Sequence, residues 1–241
     1  MSSGLRGRRR RAFSLMELII VLAVTVVLTG LLLPVLSQVR ENVNRVVCAS
    51  NLRQMGLAFV MYDRDNSNNL PYAHVLRWKD PDPRELMAAS LSERRDPETG
   101  EAWDGIGLLF SEGYCAAVDC YYCPSHRGEH TFDVYVNAWL HPEERRSIYT
   151  NYHYSGDREW EEGGDRRDLD QGIELILATD GFRTLRDINH SGGMNLLRGD
   201  GSVRWRDGGD WLASILAKGP DDDTYRGLWR QLNDPENPEK K

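Results

Sequence analysis

Cysteine, histidine and aspartate are the side chains that most readily hold metals or move protons, and in this sequence they gather in two places. Cys115, Cys120 and Cys123 fall within nine positions, while Cys48 stands far upstream. The spacing Cys-x4-Cys-x2-Cys lacks a matching second pair and so gives little support to zinc. Further on, Asp180, His190 and Asp200-Gly201 form a second set. Grouped together, Asp180, Asp200 and His190 would make a polar cluster with calcium as the candidate ion on Asp180 and Asp200. Calcium wants six to eight oxygens, however, which a histidine does not suit, and no EF-hand spacing is present. A hydrolytic His/Asp pair would need a nucleophile, and no G-x-S-x-G motif accompanies this one.

The elements that must position these residues can be read from periodicity. Ile173 to Thr179 reads as a strand, as do Met194 to Leu197 and Val203 to Trp205. Asp200-Gly201 between the last two is a hairpin signal, because such a turn needs positive φ. On that reading Asp200 and Gly201 are turn residues, and His190 is a loop residue or bonds to the sheet. Tyr114, Tyr121, Tyr122, Trp139, Tyr149, Tyr152 and Tyr154 could bind sugars if exposed, but core packing is the expected use.

Charge is distributed unevenly over the 241 residues. Thirty basic and 37 acidic residues give −7. Five of the basic residues, Arg6, Arg8, Arg9, Arg10 and Arg11, lie in the first twelve positions, so the rest of the chain carries −12. A body that acidic argues against nucleic-acid binding. Directly after the arginines, Leu18 to Val39 is a 22-residue stretch without charge, enough to cross a bilayer core of about 30 Å as a helix. The positive-inside rule then places the N-terminus in the cytoplasm and the body outside it. A cleaved secretory signal would be shorter and end in an A-x-A-like site, and Leu36-Ser37-Gln38-Val39-Arg40 is not one. Arg10-Arg11-Ala12-Phe13-Ser14-Leu15 superficially fits a twin-arginine signal, but Glu17 inside the apolar run does not.

Helical spacing continues past Pro34, through Leu36, Val39, Val43 and Val46 and then Cys48, Leu52, Met55, Phe59 and Tyr62. Asp63 to Asn69 and Pro71 end it. One helix from Phe13 to Asp63 would be about 75 Å long at 1.5 Å per residue. An anchor followed by a separate amphipathic helix is a variation, with Asn51 and Gly56 as places for a break. Outside the cytoplasm disulfides persist. One is therefore expected among Cys115, Cys120 and Cys123, joining Cys115 to Cys123 or to Cys120. Cys48 then pairs with the leftover or is a small buried residue on the helix.

Ala12-Phe13-Ser14-Leu15-Met16-Glu17 resembles the signal of type IV pilins and type II secretion pseudopilins. In that family a basic leader is cut before a Phe or Met on the cytoplasmic side, the new amine is methylated, and an acidic residue stands fifth in the mature chain. The resemblance implies a cut between Ala12, where the family usually has Gly, and Phe13. It makes Glu17 the partner of a neighbouring subunit's N-terminal amine and Pro34 the helix kink. A carboxylate in a membrane helix costs about 2.5 kcal/mol or more unless paired, which suits that role; the alternative is that Glu17 reaches the headgroup interface. The sequence also resembles a pilin-like family, abundant in planctomycetes and related bacteria, whose members end in an H-x9-DG motif. The matching residues are the stretch Asn44 to Pro71, Tyr122-Cys123-Pro124-Ser125, Ala178-Thr179-Asp180-Gly181, and His190 with Asp200-Gly201.

The expectations are therefore definite. The fold is α+β: a long N-terminal helix, transmembrane in its first half and amphipathic in its second, packs on a C-terminal antiparallel β-sheet domain. Residues 1–12 are a cleaved leader, 13–36 the transmembrane helix, 37–65 its amphipathic continuation, 66–220 the extracytoplasmic pilin-like domain and 221–241 a frayed acidic tail. The protein is a structural subunit of a type IV pilus-like or type II secretion filament and not an enzyme, with no cofactor besides the candidate calcium. Its partners are a prepilin peptidase, other pilin-like subunits and the lipid bilayer, and not nucleic acid. It sits single-pass in the bacterial cytoplasmic membrane. The competing reading is a membrane-anchored extracytoplasmic ligand-binding module that uses the helix only as an anchor.

Overall fold

The computed structural model describes residues 14–74, 86–91, 102–141, 146–156, 169–170, 175–184, 186–190, 192–208, 212, 217, 227–229 and 231–232. Ala12, Phe13 and positions 173–174 of the expected strand lie outside them. The architecture is α+β, with a long N-terminal helix and a C-terminal antiparallel sheet.

Helix α1 runs without interruption from Leu15 to Asp65, with Pro34 inside it. Ser14 and Glu17 start it. The Ser14 hydroxyl accepts the Met16 N–H at 3.3 Å, and Glu17 Oε2 accepts the Ser14 N–H at 2.9 Å. This is a capping box, in which two orphan donors of the first turn are satisfied reciprocally. Further along, hydroxyls bond back to the helix itself: Thr25 to Leu22 O, Thr29 to Thr25 O and Ser37 to Pro34 O, at 2.7 to 2.9 Å. The polar groups of this apolar stretch thus need no water, as a lipid environment requires. At the other end Ser67 and Asn68 take φ near +58° and +57°, and the Asn68 N–H closes on Asp63 O at 2.9 Å. That is a left-handed helix stop.

The chain divides into two compact units, Met1–Asn42 and Val43–Lys241. The described part of the first is helix from Leu15 on, long and apolar enough to cross a membrane and exposed except at the half-buried Glu41. In the second, α1 buries Cys48, Asn51, Leu52, Met55, Gly56, Ala58, Phe59, Tyr62 and Asp63, a stripe at three- and four-residue spacing. The earlier members of the expected stripe, Leu36, Val39, Val43 and Val46, are exposed.

The main sheet has four antiparallel strands in sequential order: β3 (Tyr152–Tyr154), β4 (Ile176–Asp180), β5 (Gly193–Arg198) and β6 (Val203–Asp207). Pairing sets Tyr152 opposite Asp180, Thr179 opposite Leu196 and Asn195 opposite Trp205. A separate two-stranded sheet joins β1 (Ala88–Ser90) to β2 (Ile148–Tyr149). Helices α2 (Gly107–Ser111) and α3 (Phe132–Leu140) flank a 3-10 turn, Val118–Tyr121. The aromatic residues serve the core. Trp139 stacks on Tyr121 at 4.8 Å and meets Phe110 edge-on at 4.7 Å, and its indole N–H donates to the Tyr122 hydroxyl at 2.9 Å. The C-terminal region corrects one expectation. Leu228, Trp229 and Leu232 are buried, and Trp229 meets Phe182 at 5.5 Å, so apolar side chains fasten part of the segment read as a frayed tail.

The Asp200-Gly201 turn joins β5 to β6 as expected. Gly201 takes φ +78°, its N–H bonds to Arg198 O at 2.9 Å, and Asp200 Oδ1 accepts the Ser202 N–H at 2.9 Å. This hairpin lies against α1 at Gly56. A Cβ added there would come within 2.8 Å of Leu197 Cδ1 and 3.6 Å of Gly201 Cα. Gly56→Ala needs only a shift of the Leu197 methyl and gains helix propensity, so it should leave stability within about 1 kcal/mol of the parent. Gly56→Leu must force the hairpin from the helix and should cost about 2–3 kcal/mol. Urea unfolding of the two full-length variants checks the contrast.

Candidate functional site

Four elements of the second unit deliver one donor each to a single spot. Cys48 comes from α1, Cys123 from the loop after the 3-10 turn, Asp180 from the end of β4, and His190 from the loop before β5. Their ligand atoms all lie within 4.8 Å of one another. They are 0%, 3%, 1% and 1% exposed, respectively, so the cluster is closed to bulk water on nearly every side. Cys48 Sγ lies 2.6 Å from Asp180 Oδ1, Cys123 Sγ 3.4 Å from His190 Nε2, and His190 Nε2 3.8 Å from Asp180 Oδ2.

Neighbours hold each donor in place. Asp180 Oδ2 accepts both the backbone N–H of Asn195 at 2.5 Å and its side-chain amide at 3.1 Å. The Tyr152 hydroxyl donates to Cys48 Sγ at 3.2 Å. Asn151 Oδ1 accepts the Cys123 N–H at 2.6 Å, and its amide returns to Cys123 O at 3.4 Å. Trp205 meets the His190 ring edge-on at 5.7 Å, while Arg45 lies over the Trp205 face at 3.8 Å. Asn51 on α1 donates to Tyr122 O at 3.1 Å, which fixes the loop that carries Cys123. A pocket of about 440 Å³ reaches the cluster at Cys123 and Asn151, with Asp119, Asp133 and His126 also in its lining.

Protonation in the cluster is shared. Burial pushes the Cys48 thiol well up, helped by Cys123 and Asp180. Burial would also raise Cys123, but hydrogen bonds from Cys48 and His190 outweigh it and bring that thiol down. Burial raises Asp180, against the attraction of His190. Cys123 and Asp180 are not placed as the thiol and carboxylate of one relay through His190. In such a relay the thiol and the carboxylate take opposite ring nitrogens of the histidine. Here Cys123 and Asp180 both approach Nε2. What the geometry provides is convergence of two sulfurs, a nitrogen and a carboxylate oxygen.

Several sequence expectations divide at this point. His190 and Asp180 do come together. Asp200 does not join them, because it is exposed in the β5–β6 turn, so the oxygen-rich pair expected for calcium is not assembled. All four cysteines are free thiols. Cys115 and Cys120 are hydrogen-bonded neighbours, and Cys120 Sγ also reaches Gln54 Oε1 at 3.1 Å. The Cys120 thiol brings Cys115 down to about 7, and Cys120 itself is raised by Cys115 and by burial. Of the two disulfides expected from Cys115, only the pairing with Cys120 has its sulfurs adjacent; Cys123 belongs with Cys48. Cys123 is the leftover thiol that one of the two alternatives sets beside Cys48; that both meet Asp180 and His190 was not legible, since those partners are 132 and 67 positions away.

Beside the cluster a second group of histidines is held neutral. Burial, and then the Arg183 guanidinium, push His130 down to about 4, against the pull of Asp187. Arg183 donates to His130 Nε2 at 2.6 Å, and the other ring nitrogen lies 3.0 Å from the Tyr135 hydroxyl. His153 is lowered well below its ordinary value by burial, then by Arg183, and its Nδ1 accepts the Phe182 N–H at 3.2 Å. Both folded values lie below the unfolded value of about 6.5, so as pH falls the unfolded chain takes up protons first. Their contribution is complete above about pH 6.5 and is lost as pH falls toward 4, with His130 alone accounting for about 2–3 kcal/mol. Thermal midpoints should therefore drop between pH 6.5 and 4.5, and more shallowly in His130→Gln.

No family model matches this chain, and no curated protein or solved structure matches it either.

Proposed function

We propose that this chain is a pilin-like subunit, released from a basic leader by a prepilin peptidase and built into a type IV pilus-like or type II secretion filament. The observation that carries this reading is the character of α1 before Cys48. Its residues from Leu15 to Leu36 are apolar apart from Glu17, two threonines and Gly30, and every one is exposed. Leu36, Val39, Val43 and Val46 continue as an exposed stripe toward the part of the helix that the body covers. Lipid covers the first set. Neighbouring copies of similar helices are what could cover the second, since apolar side chains at that spacing form a seam for another helix.

Glu17 has two candidate duties on this reading. Within its own chain it caps the helix through the Ser14 N–H. In a filament it is the one acidic group in the apolar stretch, fit to meet the N-terminal amine of an adjacent subunit. The two duties separate by substitution, because glutamine also completes a capping box but carries no charge. Glu17→Gln should still be cut and inserted, yet incorporate into filaments poorly; Glu17→Ala should fail in the same way and also weaken the helix start. Normal incorporation of Glu17→Gln would reduce Glu17 to a cap.

The leader is checked directly by mass spectrometry of the mature chain, which should begin at methylated Phe13. An intact leader in cells with an active prepilin peptidase would remove the proposal. Crosslinking then distinguishes the subunit from a tethered binding module. Contacts with other pilin-like chains through residues 36–47 support assembly. Their absence, with a ligand seated in the 440 Å³ pocket, favours the module.

A further inference from the structure

We propose that Cys48, Cys123, Asp180 and His190 form a structural zinc site that ties α1 to the sheet. This inference concerns the second unit and does not depend on filament assembly. Four donors from four separate elements converge with all ligand atoms within 4.8 Å, which is the coordination number and compactness of a structural zinc site. Two sulfurs, an imidazole nitrogen and a carboxylate oxygen are ligands that zinc accepts together, whereas calcium and magnesium select oxygen.

The distances agree with this. Zinc–sulfur bonds of about 2.3 Å and zinc–nitrogen bonds of about 2.0–2.1 Å place sulfur and nitrogen about 3.5 Å apart across a tetrahedron. Cys123 Sγ and His190 Nε2 are 3.4 Å apart. The corresponding nitrogen–oxygen edge is about 3.3 Å, and His190 Nε2 to Asp180 Oδ2 is 3.8 Å. Cys48 Sγ sits at 2.6 Å from Asp180 Oδ1 in a hydrogen bond, so zinc would replace the thiol proton between them and that contact would open. Zinc binding releases that proton and the one on Cys123, leaving two thiolates, one carboxylate and a neutral imidazole around a dication.

Surrounding contacts suit a ligand set. Metal-bound carboxylates and thiolates are oriented by donors outside the coordination sphere. Asp180 has the Asn195 N–H and amide, and Cys48 has the Tyr152 hydroxyl. Nearly complete burial of a carboxylate is costly without a cation, and His190 is the one basic side chain paired with Asp180 among the described residues. The alternative for the sulfurs is a Cys48–Cys123 disulfide. That bond would consume both sulfurs and leave His190 as the counter-charge of Asp180. The pocket at Cys123, with Asp119 and Asp133 in its lining, offers a cation an acidic route to the cluster.

The test uses the full-length chain purified in detergent without chelator. Elemental analysis should find one zinc per chain. Exchange for cobalt(II) should give the visible bands of a tetrahedral site together with thiolate-to-cobalt charge transfer. Cys123→Ser and His190→Gln should each weaken zinc binding at least tenfold in competition with a chromophoric chelator. Cys115→Ser/Cys120→Ser should keep the full equivalent, which separates this cluster from the other thiol pair. Because the wild-type zinc content and cobalt spectrum do not need the variants, a misfolded variant cannot decide the matter. A zinc-free wild-type chain that takes up no cobalt, a Cys48–Cys123 disulfide in non-reducing peptide maps, or zinc that leaves with Cys115 and Cys120 would each overturn the proposal.

Discussion

A carboxylate that is 1% exposed needs a partner on each lone pair, and Asp180 dictates much of what surrounds it. One oxygen is met by Cys48 from α1, the other by the backbone and amide of Asn195 from β5. Asn195 in turn reaches Arg45 O at 3.5 Å, so helix and sheet are joined twice, once through Asp180 and once through its partner Asn195. His190 is drawn to the same place from the loop that precedes β5. The helix could slide along an apolar interface at little cost. It cannot slide past a buried charge whose partners sit on both sides. Apolar contacts such as Phe59 on Tyr154, at 5.3 Å, supply adhesion; Asp180 supplies register.

Much of this fold is written in local pattern. The uncharged run after the arginines, the stripe from Cys48 to Tyr62 and the Asp-Gly turn each arise from periodicity or backbone preference within a few neighbouring residues, and each is present. The capping box was equally local, as Ser14-Leu15-Met16-Glu17, but the resemblance to a pilin signal drew attention to the charge of Glu17 instead of its reach. The cluster was legible only in part. The sequence groups Asp180 and His190 with Asp200, from two separate short matches, Ala178-Thr179-Asp180-Gly181 and the spacing of His190 to Asp200-Gly201. Cys48 and Cys123 are visible as thiols, but nothing local ties either to Asp180 or His190, which lie 132 and 67 positions away. The C-terminal segment was misjudged for a related reason. Its acidic composition outweighed three apolar residues, Leu228, Trp229 and Leu232, whose spacing gives one side of a short helical turn a place in the core.

Two kinds of burial meet within α1, and they demand different sequences. Where the body covers the helix, one apolar face is buried while Ser50, Arg53 and Gln54 share the other with the exposed Leu57 and Met61, and glycine at position 56 admits the hairpin. From Leu15 to Leu36, residues after Glu17 are apolar on nearly every face and the threonine hydroxyls bond to their own helix. A surface helix of a soluble body would show the one-faced pattern throughout. The all-round apolar pattern ends at Leu36, Ser37 to Arg45 is mixed, and the chain divides into its two units within that stretch, after Asn42.

The spacing from His190 to Asp200-Gly201 then acquires a physical meaning that neither residue has alone. Between them lies β5, six residues from Gly193 to Arg198. At about 3.3 Å per residue that strand spans roughly 20 Å. His190 therefore stands at one end of the strand, in the buried cluster, and Asp200-Gly201 at the other, in an exposed turn. The motif is a measured length of strand with a fixing at each end. One end is fixed by donors that converge with Cys48, the other by a turn whose Gly201 comes close to Gly56. Adding a residue to β5 would reverse the faces of its side chains. Asn195 would turn from Asp180, and the carboxylate would lose two of its donors. Histidine and Asp-Gly need to keep their distance because together they hold one strand in register against one helix.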